Sequence, residues 1–154
     1  MTEIAFHFNM PDKTAYVCRL LRKATAQGAR VAVAGPQAVL RNLDQALWSF
    51  SAVDFVPHCS ADSPAVVRHA SPVLLGVAMD DLPHQEVLLN LDADVPAGFE
   101  RFARVIEIVG TDAQERAQSR VLQLVWRQPS QAWLVFCHPS SQQAVELEAR
   151  VEER

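Results

Sequence analysis

Glycine is scarce in this chain, five residues in 154. None of Gly28, Gly35, Gly76, Gly98 and Gly110 falls in a G-x-G-x-x-G or P-loop pattern, the two arrangements that wrap phosphate with backbone amides at a helix N-terminus. The dinucleotide and P-loop fingerprints are therefore absent. Cysteine is equally thin: Cys18, Cys59 and Cys137 are odd in number and widely spaced, which predicts reduced thiols and no disulfide framework. The opening MTEIAFHFNM lacks the basic start and apolar run of a signal peptide, and no stretch approaches the ~18 uninterrupted apolar residues of a membrane span. A cytoplasmic protein is expected, with no membrane partner. Positive charge is also in deficit, with 14 Lys and Arg against 18 Asp and Glu and a net charge of −4. Tight binding to a nucleic-acid backbone needs a basic field that displaces counterions, so contact with DNA is expected only through a partner.

Catalytic patterns are missing as well. No serine sits in a nucleophile elbow, and no Cys–His pair has a supporting signature. His58-Cys59 and Cys137-His138 are far apart and the remaining histidines, His7, His69 and His84, are isolated, unlike the closely spaced ligand pairs of zinc sites. Asp80-Asp81 and Asp92 with Asp94 fall in loops after strands, where a metal or acid–base chemistry could be staged, but acidic residues populate such turns freely. No cofactor and no metal are expected. A small nucleotide- or metal-binding α/β enzyme built on those acidic loops is the alternative to a non-enzymatic protein.

What is present is the raw material of one domain. Apolar residues make up 49% and charged residues 21% of the chain, and a domain of roughly 150 residues buries about two-thirds of its unfolded surface. Residues 1–138 are expected to form a single domain and 139–154 a polar tail or short helix. Glu3 to Phe8 alternates, with Ile4, Phe6 and Phe8 on one side, predicting a strand with one face on a core. Pro11-Asp12 opens a helix carrying Val17, Leu20, Leu21 and Ala24 at helical spacing, Gly28 ends it, and the β-branched run Arg30 to Ala34 follows. A strand, a helix and a strand so closely joined predict a right-handed parallel crossover. Gln37 to Leu47 reads as a second helix with Trp48 at its exit. From Ser49 to Pro72 loops dominate, with Phe55-Val56 briefly extended and Ala65 to His69 a strand candidate. Val73–Ala78, Glu86–Leu91 and Arg104–Val109 are further strands, a short helix surrounds Phe99 and Phe102, and a longer helix runs from Asp112 to about Trp126. Ala132 to Phe136 could supply an edge strand. The fold expected is α/β, Rossmann-like and three-layered, with a mostly parallel central sheet of at least five strands and helices on both faces.

Two constellations stand out. In LDQALWSFSAVDFVPH, residues 43–58, the set Leu47, Trp48, Phe55, Val56 and Pro57 places two large aromatics beside a proline-stiffened loop. Such rings make a rigid docking patch with little entropy to lose, or else they cap the core. In the helix after Asp112, Arg116, Arg120 and Gln123 share one stripe beside apolar Val109, either as a guanidinium clamp for the carboxylate end of a hydrophobic peptide or as an ordinary solvated face.

At these residues the sequence resembles the chi-subunit family of the bacterial DNA polymerase III clamp-loader complex. The features that carry it are a strand at Phe6-His7-Phe8, GARVAVAG, LDQALWSF with DFVPH, EVLLNLDADVP, and FERFARVIEIV followed by an arginine-bearing helix, in order over roughly residues 3–126. The resemblance implies a Rossmann-type domain without catalytic activity. It further implies an adaptor in DNA replication whose aromatic surface, with Trp48 and Phe55, binds the psi subunit. Val109, Arg116 and Arg120 would take the acidic, hydrophobic C-terminal tail of single-stranded DNA-binding protein. A repair helicase competing with psi is an alternative occupant of the aromatic patch. Where the family often carries an aromatic and a further basic residue one turn after the second arginine, this chain has Gln123 and Leu124, and the region after Pro129 departs from the family pattern.

Overall fold

The computed structural model describes residues 2–7, 10–78, 83–94 and 96–111, together with the backbone of 134–137. Among them the chain forms β1 (Glu3–His7), α1 (Lys13–Ala26), β2 (Val31–Ala34), α2 (Gln37–Ser49), β3 (His58–Ser60), α3 (Ala65–Ala70), β4 (Val73–Gly76), β5 (Val87–Asn90), a 3₁₀ turn (Phe99–Arg101), β6 (Arg104–Ile108) and β7 (Leu134–Cys137). The strands make one sheet in the order β3-β4-β2-β5-β6-β1-β7, and every pairing is parallel. The fold is α/β, as the strand–helix–strand opening predicts. The longer helix expected after Asp112 and the tail at 139–154 lie outside the described residues.

A parallel sheet covered on both faces needs strands that are apolar throughout, and VAVA in β2 and VLLG in β4 are buried along their whole length. The same condition corrects the reading of the N-terminal strand. Ile4, Ala5 and Phe6 are all buried, because β1 lies inside the sheet between β6 and β7 and has no solvent face. The first crossover is also wider than adjacency would give: β5 and β6 intervene between β1 and β2. Both β1→β2 and β2→β3 travel toward the β3 edge, so right-handed crossovers put α1 and α2 on the same face. There Val17, Cys18 and Leu21 of α1 and Leu40, Leu43 and Leu47 of α2 share one core with Val31, Val33, Val73 and Leu75. Burying each of these large aliphatic side chains contributes about 1.5–3 kcal/mol. The β3→β4 connection travels the opposite way, and the same handedness sends α3 to the other face.

Local sequence explains the helix ends. The Asp12 carboxylate accepts the Ala15 N–H at 3.0 Å, closing the N-terminus of α1. At the other end Gly28 takes φ 80°, which lets Ala29 N–H reach Ala24 O and Gly28 N–H reach Thr25 O, both at 3.0 Å. Gly35, by contrast, is needed for space: a Cβ there would stand 3.2 Å from Leu91 Cβ. The Gly35-Pro36 break thus permits close packing between the ends of β2 and β5.

The strand expected at Ala65–His69 is a short helix instead. Pro64 starts it, its carbonyl accepting N–H groups from Val67 at 2.9 Å and Arg68 at 3.1 Å, and the β-branched Val66-Val67 pair follows the turn despite its strand preference. The strand of that region is His58–Ser60, three residues paired on β4 at the sheet edge.

Candidate functional site

The site begins with the register of α2. Leu40, Leu43 and Leu47 turn into the core, and Asp44 and Trp48, one turn apart, share a stripe beside them. Because α2 continues to Ser49, Trp48 occupies its last turn and does not lie beyond its exit. The chain then folds back through a small self-bonded loop in which Ser51 Oγ accepts N–H groups from Val53 at 3.3 Å and Asp54 at 3.1 Å. From α1, Arg22 holds this loop by an ion pair to Asp54 at 3.3 Å and by lying 5.6 Å over the Phe50 ring. Both ends of that ion pair are half exposed, so its contribution to stability is at most about 1 kcal/mol.

Val56 drops into the core and its neighbour Phe55 is left outside, exposed to 52% beside Trp48 at 63%. The two rings lie 4.9 Å apart at 31° to one another, and Pro57, next along, is exposed too. Leu47 and Val56, expected to belong to the surface with these rings, are instead about 1% exposed and form the floor beneath it. The exposed part of this set is therefore Trp48, Phe55 and Pro57, on a buried base of Leu47 and Val56. Exposed aromatics so placed are an expense for a lone soluble protein, and such patches mark sites that another molecule covers.

Sequence reasoning missed the groups that hold the rings together. His58 lies beneath them, its ring 5.4 Å from Trp48 in edge contact and 5.9 Å from Phe55. Nδ1 bonds to the Val56 carbonyl at 2.7 Å and Nε2 to the Asp44 carboxylate at 3.0 Å. The zinc pattern drew attention to His58-Cys59 for another reason. The usable signal was the four-residue step from Asp44 to Trp48 within LDQALW, which fixes both on one edge of the helix.

Other expected sites resolve differently. Beside α2, at the carboxyl ends of β3 and β4, is a cavity of ≈ 450 Å³ lined by Gln37, Arg41, Asp44, Ser60, Asp62 and Gly76 among others. Asp92 and Asp94 are engaged in a turn: Asn90 Nδ2 donates to both their carbonyls at 3.1 Å, and Asp92 Oδ1 accepts the Asp94 N–H at 3.3 Å. Asn90 is itself fully buried and donates to Glu107 Oε2 at 2.9 Å. This polar row keeps the end of β5 satisfied, a structural use of the acidic loop. Asp80 and Asp81 lie outside the described residues. Among the described residues no group of three or more His, Cys, Asp or Glu could hold a metal ion, and no helix is long and apolar enough to cross a membrane. Cys18 and Cys59 are free, and burial pushes the Cys18 thiol up, away from the reactive thiolate.

Of the second constellation, Val109 is buried just after β6, its N–H donating to His7 O at 2.9 Å. Arg116, Arg120 and Gln123 lie outside the described residues.

Comparison with known proteins meets this geometry. The family model described as DNA polymerase III chi subunit, HolC, matches residues 1–132. The DNA polymerase III subunit chi of Pseudomonas aeruginosa (strain PAO1) is 35% identical over 104 residues, covering 67% of this chain and 70% of that protein. The chain belongs to the DNA polymerase III chi-subunit family.

Proposed function

We propose that the protein is a non-catalytic adaptor that joins the clamp loader, through a psi subunit, to the C-terminal tail of single-stranded DNA-binding protein. The observation that carries this reading is the exposed Trp48–Phe55 pair, rings 4.9 Å apart and tilted by 31°, on a base of buried Leu47 and Val56. Psi docks on Trp48, Phe55 and Pro57. Rings already packed on a fixed base lose little freedom on binding, and the Trp48 indole has the size and polar edge of a hot-spot anchor. A repair helicase would compete for the same rings.

The tail of single-stranded DNA-binding protein is taken by Val109, Arg116, Arg120 and Gln123. Paired guanidinium groups suit a terminal carboxylate, and the resulting contact is modest and salt-sensitive. Linkage through psi makes tail capture effectively intramolecular, which raises avidity without a DNA contact. With a net charge of −4, the chain is suited to meeting coated template through a protein partner.

Two titrations test the two surfaces separately. A labelled tail peptide at low salt should bind, and Arg120→Ala should weaken it at least several-fold, the scale of a lost charge-assisted contact. Psi should bind wild type and fail on Trp48→Ala while the same variant still takes the peptide. A folded Trp48→Ala protein that loses both, or neither, contradicts the assignment.

A further inference from the structure

The adaptor reading identifies the rings a partner touches; the group beneath them has chemistry of its own. Nδ1 and Nε2 of His58 both face acceptors, a backbone carbonyl at 2.7 Å and a carboxylate at 3.0 Å. A neutral imidazole carries one N–H and can satisfy only one of them, whereas the imidazolium donates to both. The side chain is 1% exposed, so water cannot readily replace a missing donor, while Asp44 is half exposed. The ring also lies 5.4 Å from the Trp48 ring in edge contact.

These bonds tie the loop to the helix at a decisive point. Val56 O is the carbonyl next to Phe55, and Asp44 is one turn from Trp48. One imidazole ring therefore fixes Phe55 relative to Trp48. We propose that His58, bonded through both ring nitrogens to Val56 O and Asp44, is the positioning residue of the Trp48–Phe55 surface, so that partner docking depends on the His58–Asp44 pair. This rests on the adaptor reading above. Asp44 faces the ring from α2, Arg41 and Asp62 line the cavity that Asp44 also lines, and Asp54 of the loop is engaged by Arg22.

The test uses the full chain with ¹⁵N-labelled histidine, purified psi, and the variants Asp44→Asn, Asp44→Glu and Trp48→Ala. In wild type at mildly acidic pH, His58 should show two slowly exchanging ring N–H protons. Psi affinity is measured for each protein under the same conditions. Asp44→Asn should weaken binding about five- to tenfold, the scale of a half-exposed charge-assisted hydrogen bond. Asp44→Glu should restore most of the affinity. A single ring N–H on His58, or an Asp44→Asn affinity equal to wild type while Trp48→Ala still abolishes binding, overturns the positioning role alone. Retention of full affinity by Trp48→Ala overturns the adaptor reading with it.

Discussion

His58 and His84 have side chains hidden to the same degree, each about 1% exposed, yet their surroundings ask opposite things of the ring. At His58 both nitrogens meet acceptors. At His84, Nε2 donates to Ser71 O at 2.8 Å, while Nδ1 faces the Arg30 guanidinium at 3.5 Å, a cation that a second N–H would oppose. Burial, with Arg30 adding to it, pushes the His84 pKa down. One histidine braces a corner that carries exposed rings, and the other ties the approach to β5 onto the approach to β4 in neutral form. Burial alone does not set the job of a histidine; the donors and acceptors around it do.

This contrast can be broken in four ways, the strongest first. His84→Ala removes a buried donor, leaves the Ser71 carbonyl unpaired and opens space, so chemical denaturation should report a loss of about 2–4 kcal/mol. Psi binding by the protein that remains folded should be unchanged. Trp48→Ala should do the reverse, weakening psi by about 2 kcal/mol or more while shifting unfolding free energy by no more than about 0.5 kcal/mol, as expected for an exposed side chain.

The third prediction concerns acid. His84 has a lower pKa folded than unfolded, so the unfolded state binds the extra proton first and unfolding becomes easier as pH falls. Its contribution should be complete above the ordinary imidazole value of about 6.5 and lost progressively below it. A His84→Gln variant, which can still donate to Ser71 O but does not titrate, should show a flatter decline in stability from neutral to mildly acidic pH. The smallest effect is expected for Arg22→Ala, which frees Asp54 and Phe50 at the surface. Stability should drop by at most about 1 kcal/mol, with psi affinity falling modestly as the loop loosens.

The sequence displays the scaffold more fully than the site because the two obey different rules. Apolar periodicity marks α1, α2 and the strands, since burying those residues is what builds them. It cannot give strand order, so the insertion of β5 and β6 between β1 and β2 was invisible. It also misreads Val66-Val67, whose strand preference yields to a proline-started turn. At the aromatic corner, Trp48 and Phe55 are legible as aromatics, but whether Leu47 and Val56 join them outside or lie beneath depends on a helix end and a loop direction. Adjacent residues there have opposite fates. His58 was legible only as a generic ligand, because its meaning comes from Asp44, fourteen residues away and brought near by the return of the loop.

The central claim, that this molecule works through its aromatic corner and not through its strand-end loops, is tested most directly by hydrogen–deuterium exchange of the full chain with and without psi. The account predicts new protection concentrated in residues 44–58, with residues 83–94 unchanged. Protection confined to the strand-end loops, leaving the segment around Trp48 and Phe55 exchanging as in the free protein, would contradict it.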